Sequence, residues 1–107
     1  MSYQSIQKKN ISKKLQRKDL DTPEDKPLLL SLSRLHKVKG IDILLEAMVR
    51  IPEAFLWIAG SGPLKKDLVE KTERLGLNKR VKFLGWRDDK EALMATSDIL
   101  VFPSRND

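Results

Sequence analysis

Two basic residues, Arg34 and Lys39, lie five positions apart in a loop that follows an apolar run at 28–32 and precedes a helical pattern. The first amides of a helix have no partner within it, so two cations and these amides can converge on one anion. A diphosphate would suit such a site. The loop could equally be charged only because it is solvated, and spacing alone does not decide between the two interpretations.

A second polar group follows the last apolar run. Residues 103–107 read PSRND, which places another cation and the carboxylate of Asp107 after that run. If the first and last runs are neighbouring strands of one sheet, these groups lie at the same sheet edge as Arg34 and Lys39.

Other side chains with catalytic chemistry are scarce. His36 is the only histidine and lies inside the loop of Arg34 and Lys39. Metal binding would need companions that the sequence lacks, so we interpret it as a surface residue. The chain has no cysteine, which excludes disulfides and thiolate chemistry.

Short apolar runs predict the strands that position these loops. Their apolar content and length are typical of strands, and they lie at 28–32, 55–59, 81–84 and 99–102. The first, second and fourth are almost continuously apolar, which indicates burial on both faces. That is the pattern of a parallel sheet covered by helices.

Helical patterns fill the three intervals between the runs. In the first, apolar residues recur at helical spacing from Ile41 until Pro52 prevents continuation. In the second, Pro63 suits a first helical position, and Gly76 supplies a left-handed stop. In the third, Asp88 stands three residues before a glutamate, the spacing of a capping box.

This alternation predicts an α/β fold, a partial Rossmann-like, doubly wound parallel sheet of about four strands. The full sheet has the order 3-2-1-4-5-6, and ligands bind beyond the carboxyl ends of the strands where the order reverses. Here the order reverses between the first and fourth strands, so the loops after residues 32 and 102 are the candidate site.

The N-terminal residues 1–27 differ in composition from the rest. They carry seven cations and four anions without a sustained apolar pattern. We predict a charged, mobile segment at 1–27, with one short helix near 11–18, before a domain at 28–107. Its cations could attract nucleic acid, but aromatic residues are not interleaved and acids follow at once. No apolar run resembles a secretory signal or reaches the ~20 residues of a membrane span, so a cytoplasmic location with at most peripheral membrane contact is expected.

Several motifs occur in a characteristic order. They are SRL at 33–35 with KGID at 39–42, IAGSGPL at 58–64, VKFLG at 81–85 and SDILVFPSR at 97–105. In this order they resemble the nucleotide-sugar-binding C-terminal lobe of glycosyltransferase family 4, the glycosyl transferases group 1. Members of this family are retaining enzymes with the two-lobed GT-B fold, so the resemblance implies a hexosyltransferase that takes a nucleotide-diphosphate sugar as its donor.

The resemblance also implies roles for individual residues. Arg34 and Lys39 would bind the donor diphosphate and stabilise the charge that develops on the leaving nucleotide. Because these cations take the place of a metal ion, neither a metal nor another cofactor is implied. The other donor-site loop residues would be Ser33, Gly60, Gly62, Gly85, Trp86 and Asp107.

Alternatives remain for some of these assignments. Gly60 and Gly62 could turn the loop beside the donor, or they could form only a turn before the following helix. Gly85 and Trp86 would lie near the nucleobase, although Trp86 could instead pack against the next helix.

Two departures from the family pattern affect the predicted site. The family usually has glycine where Ser33 stands, and the first of its two glutamates falls on Asp107, with the second beyond the sequence. We therefore expect weakened donor binding, no transfer by these 107 residues alone, and a polypeptide partner that supplies the missing lobe.

An exposed fourth strand could also pair with another copy. A non-catalytic nucleotide- or anion-binding module and a nucleic-acid-binding protein with a basic arm are the alternative functions.

Overall fold

The computed structural model of the protein describes residues 15–36 and 40–102. After a short 3-10 turn at Arg17–Leu20, four strands alternate with three helices. The strands are β1 (Leu28–Leu32), β2 (Phe55–Ala59), β3 (Val81–Gly85) and β4 (Ile99–Val101). The helices are α1 (Ile41–Val49), α2 (Lys65–Arg74) and α3 (Lys90–Thr96).

The strands form one parallel sheet in the order β3-β2-β1-β4. Leu28 of β1 pairs with Phe55 of β2, and Leu29 pairs with Ile99 of β4 on the other side. This order is the 3-2-1-4 portion of a doubly wound sheet, so the predicted fold class is confirmed. The order reverses at β1, and the loop after β1 therefore lies at the switch point.

Each face of the sheet carries its own hydrophobic cluster, because successive side chains of a strand point to opposite faces. Leu29 and Ile58 pack on the face covered by α1 and α2. Leu30 and Trp57 pack on the other face, together with Leu93 of α3. The two clusters hold the strand ends in fixed register, which fixes the loops at the carboxyl edge.

The N-terminal residues that the structure describes pack against this second face, which differs from the expected mobile segment. Arg17 is only 7% exposed. Its guanidinium donates to the carbonyl oxygen of Lys26 at 2.8 Å and to Oδ2 of Asp98 at 3.1 Å. Thr22 is buried and accepts a hydrogen bond from Trp57. Internal hydrogen bonds join residues 15–27 to the rest of the fold, and amino-acid composition does not reveal such bonds. The predicted helix near 11–18 lies largely outside the described residues.

Burial of β4 on both faces was a wrong prediction. Ile99 is 51% exposed and the following Phe102 is 73% exposed. Among the four described strands, β4 lies at the end of the sheet order and pairs only with β1. Its apolar sequence therefore gives an open edge rather than a sheet interior.

The start of α3 also differs from prediction. The helix begins at Lys90 with Asp89 as its N-cap residue, and no side chain caps it. Asp88 is therefore not the cap, and the neighbouring carboxylate of Asp89 is held by Arg87 instead. The predicted left-handed stop after α2 is confirmed at Gly76, where φ is 73°.

Candidate functional site

A cleft of about 540 Å³ opens at the carboxyl edge of the sheet. This volume lies within the range of small-molecule sites, about 300–1,000 Å³. Loops after three neighbouring strands contribute its walls. The lining residues are Leu32, Ser33 and Arg34 at the end of β1, Ala59, Gly60, Ser61 and Gly62 at the end of β2, and Trp86, Arg87 and Lys90 after β3.

The cleft brings together most of the residues that the sequence singled out. Its lining includes Ser33, Arg34, Gly60, Gly62 and Trp86. Two others, Lys39 and Asp107, lie outside the described residues. The remaining predicted residue, Gly85, does not line the cleft. Its carbonyl oxygen accepts a 2.7 Å hydrogen bond from the amide of Gly60, which does.

Backbone hydrogen bonds join the loops after β1 and β2 into one floor. The amide of Ser33 donates to the carbonyl oxygen of Ala59 at 3.2 Å, and the amide of Leu35 donates to that of Ser61 at 3.1 Å. The carbonyl oxygen of Leu35 in turn accepts from the amide of Leu64 at 3.1 Å. The two loops thus continue the β1–β2 pairing beyond the sheet, and they cannot move independently without losing these bonds.

Glycine is required where the two loops touch. A Cβ atom on Gly60 would lie 2.0 Å from the carbonyl oxygen of Ser33, and one on Gly62 would lie 2.5 Å from that of Leu35. Gly60 also has a φ of 145°, which L side chains rarely adopt. These glycines therefore do more than begin a turn before α2, because they let two backbones form the floor of the cleft.

A register shift brings the loop after β3 to the cleft. Ile58 pairs with Phe83, but Ala59 pairs with Gly85, so one residue of β3 is skipped. Gly85 has a φ of 74°, and a Cβ there would meet no atom within 4 Å. Its role is thus to reverse the chain at the strand end. The next residue, Trp86, is 73% exposed, which excludes the alternative that it is packed beneath the next helix.

Among the described residues, the charged side chains that line the cleft are all basic: Arg34, Arg87 and Lys90. Arg34 follows β1, whereas Arg87 and Lys90 follow β3, and β2 lies between these two strands in the sheet. The glycine floor lies between them. The cleft is therefore suited to an elongated anion.

Asp89 holds Arg87 in place from behind the lining. Nε of Arg87 donates to Oδ1 at 2.9 Å and Nη2 donates to Oδ2 at 2.7 Å. These hydrogen bonds lower the pKa of Asp89 and raise the pKa of Arg87, so both groups stay charged. Sequence reasoning missed Arg87 and Lys90; their position directly after a predicted strand was the available signal.

His36 lies away from this cleft, in a smaller groove of about 260 Å³ between α1 and α2. Asp67 and Lys71 also line that groove. Among residues 15–36 and 40–102, no three His, Asp or Glu side chains are grouped as a metal site would require. None of the helices in this part of the chain is long and apolar enough to cross a membrane.

A partial doubly wound sheet with a basic, glycine-floored cleft at its switch point is typical of nucleotide-binding α/β proteins. Residues 12–107 match the family model of the glycosyl transferases group 1, and the chain belongs to that family. The predicted family and fold class are thereby confirmed.

Curated relatives and solved structures extend this result. The chain is 37% identical over 91 residues to the lipopolysaccharide core biosynthesis glycosyltransferase LpsE of Rhizobium meliloti (strain 1021), covering 85% of this chain and 27% of LpsE. It is 30% identical over 98 residues to the lipopolysaccharide glucosyltransferase WaaG of Escherichia coli (strain K12), covering 87% and 26%. The crystal structure of Anabaena HepE in complex with UDP and glucose matches with a TM-score of 0.74 and 33% identity, over 82% of this chain and 25% of HepE. The chain thus spans about a quarter of the length of these relatives.

Proposed function

We propose that this chain forms the donor-binding part of a hexosyltransferase that uses a nucleoside-diphosphate sugar. The observation that carries the proposal is the cleft at the ends of β1 and β2, where each charged side chain of the lining that the structure describes is basic. A diphosphate ester is anionic and elongated, and it matches cations that flank an open floor.

In this proposal Arg34 contacts the diphosphate from the β1 side, and Lys39 joins it from the same loop. As the glycosidic bond breaks, negative charge grows on the leaving nucleoside diphosphate. Fixed cations stabilise that charge more in the transition state than in the ground state, which lowers the barrier.

The glycine floor supports this role by its shape. Because Gly60 and Gly62 have no side chains, the cleft is open to the backbone where the loops after β1 and β2 meet. An anion can therefore approach the backbone closely between the basic walls. We propose that side chains, rather than a metal ion, balance its charge.

The proposed donor is a UDP-sugar. Anabaena HepE, 34% identical over 75% of this chain, has a crystal structure in complex with UDP-glucose. We extend that donor class to this chain because its own cleft lies at the switch point of the same fold.

The test is calorimetric titration of the chain with UDP and UDP-glucose. We expect saturable binding with a Kd between about 1 μM and 1 mM, the usual range for enzyme substrates. Arg34→Ala should weaken binding about tenfold or more, since a charge-assisted contact is worth about 1.5–3 kcal/mol. Arg50→Ala is the matched control, because Arg50 is exposed at the far end of α1. Equal affinities of the two variants, or no binding by the unaltered chain, would overturn the proposal.

A further inference from the structure

The strand β1 carries a single polar side chain, Ser31, among four leucines. Ser31 is 0% exposed and lies on the same side of the strand as Leu29, which packs on the face covered by α1 and α2. A serine hydroxyl has one donor and two acceptor sites, and its burial without a hydrogen bond costs free energy. The partner of this hydroxyl therefore determines what Ser31 can do.

That partner is Ser33, two residues further along the chain. Oγ of Ser31 and Oγ of Ser33 are 3.3 Å apart, and either hydroxyl could be the donor. Within residues 15–36 and 40–102, the structure gives the Ser31 hydroxyl no other hydrogen bond. Ser33, unlike Ser31, is partly exposed and belongs to the lining of the cleft. The pair thus connects the buried face of the sheet to the candidate site.

Burial decides the direction of this hydrogen bond. If Ser33 donated to Ser31, the hydroxyl hydrogen of Ser31 would be buried without an acceptor, which is costly. If Ser31 donates to Ser33, no buried hydrogen is left without a partner. Ser33 then accepts from the interior and keeps its own hydrogen for a group in the cleft. The hydroxyl of Ser33 is therefore oriented as a donor.

The position of Ser33 indicates which group this hydrogen meets. Ser33 directly precedes Arg34, and its carbonyl oxygen lies against the backbone of Gly60 in the floor of the cleft. If the diphosphate lies by Arg34, as in the proposed function on which this inference rests, the neighbouring hydroxyl faces the same anion. Phosphate oxygens accept hydrogen bonds strongly, so they suit a hydroxyl that is held as a donor.

We propose that Ser33 donates its hydroxyl hydrogen to a phosphate oxygen of the donor, and that Ser31 is the buried positioning residue that keeps this hydroxyl in its donating orientation. The sequence led us to expect that serine, in place of the family's usual glycine, weakens donor binding. In this proposal Ser33 has the opposite effect, because it adds a contact that glycine cannot make.

Titration of the chain with UDP and with inorganic pyrophosphate tests the contact of Ser33. Since a hydrogen bond to a charged group is lost, Ser33→Ala and Ser33→Gly should each weaken binding about tenfold. The two ligands should lose affinity by the same factor, because they share the diphosphate. Ser97→Ala is the matched control, since the Ser97 hydroxyl donates to Met94 at the end of α3, before β4 begins. Its affinities should stay within about twofold of the unaltered chain.

A double-mutant cycle tests the role of Ser31. Ser31→Ala leaves the lining intact but frees the Ser33 hydroxyl among three staggered orientations, so UDP affinity should fall about threefold. In a chain that already carries Ser33→Ala, the same substitution should have no further effect, because Ser31 acts through Ser33. An equal loss in both backgrounds would make Ser31 merely structural and overturn its role. Urea denaturation of each variant checks that the fold is retained.

The outcomes also separate this inference from the proposed function. Unchanged affinities in Ser33→Ala, with binding still dependent on Arg34, would overturn this inference alone. Tighter binding by Ser33→Gly than by the unaltered chain would overturn it as well. Weakened binding of UDP without weakened binding of pyrophosphate would assign the hydroxyl to the nucleoside, against the inference. Absence of binding to either ligand by the unaltered chain would overturn both proposals.

Discussion

The indole Nε1 of Trp57 donates a 2.9 Å hydrogen bond to Oγ1 of Thr22, and both side chains are buried. The bond joins the centre of β2 to a segment that has no apolar pattern. Trp57 is a large side chain with one polar atom, and that atom needs a partner when buried. The N-terminal segment therefore completes the second face of the core rather than covering it loosely.

Thr22→Val should destabilise the fold. The substitution conserves shape but leaves the N–H of Trp57 buried without its acceptor, at a cost of about 1–3 kcal/mol in the free energy of unfolding. Urea denaturation measures the change. Thr72→Val is the control, since the Thr72 hydroxyl only returns to the carbonyl oxygen of Leu68 in its own helix. Equal effects of the two variants would contradict the account of Thr22.

Arg17→Lys should destabilise the fold although it preserves the charge. The guanidinium spans the carbonyl oxygens of Lys26 and Thr96 and the carboxylate of Asp98, which one ammonium group cannot do. The expected loss is roughly 2–4 kcal/mol in the free energy of unfolding. The exposed neighbour Lys18 provides the control, because Lys18→Ala should remain within about 0.5 kcal/mol. A fully stable Arg17→Lys protein would show that the segment is not held by these bonds.

The sequence predicted the strands closely but not these anchors. Apolar runs of strand length placed β1 and β2 correctly, because burial of nearly every residue leaves a clear signal. The sequence predicted a solvated segment around Arg17, because this residue lies in a run of cations. Its partner Asp98 is 81 positions away, and no local pattern reports such a contact.

Gly60→Ala should be strongly destabilising. Its Cβ would overlap the carbonyl oxygen of Ser33, and the backbone conformation disfavours any side chain, so about 2–4 kcal/mol is expected. Gly76 is the control because its φ is also positive but a Cβ there would meet nothing within 4 Å. Gly76→Ala should cost only about 1–2 kcal/mol. Chemical denaturation of both variants measures the difference, and equal losses would remove the steric argument.

Asp98 should make stability depend on pH. The amide of Leu28 and the guanidinium of Arg17 donate to its carboxylate and lower the pKa of Asp98 below 3.8 in the folded state. Asp98 therefore stabilises the fold fully at pH values above its pKa in the unfolded chain. This stabilisation is lost as the pH falls through the lower pKa that Asp98 has in the folded state. The unaltered protein should be more stable than Asp98→Asn at pH 7. The difference in their free energies of unfolding should become smaller below about pH 4.

Thermal unfolding at several pH values measures this gap. The pKa of Asp89 is also lowered, by hydrogen bonds from Arg87, so Asp89→Asn serves as a second carboxylate variant. Each substitution should remove part of the acid sensitivity. A gap between the unaltered protein and Asp98→Asn that stays constant from pH 7 to about pH 2 would contradict the assignment.

The candidate site was predictable in part. Arg34 was identified because the loop after the first strand lies at the switch point of a doubly wound sheet, whereas the glycines after β2 were identified only through the family resemblance of their motif. Arg87 was missed because its partner, Asp89, is two residues away in a charged stretch that resembles any solvated turn. Only the structure shows that this turn reaches the cleft, where Trp86, Arg87 and Lys90 belong to the lining.

The most direct test of the central claim is to map the binding site of UDP by NMR. In amide spectra of the isotopically labelled chain, titration with UDP should shift the signals of Arg34, Gly60 and Gly62, together with the indole signal of Trp86. The signals of Asp67 and Lys71 in the groove between α1 and α2 should stay unchanged and serve as the internal reference. Shifts confined to that groove, or none at the cleft under saturating UDP, would contradict a donor site at the ends of β1 and β2.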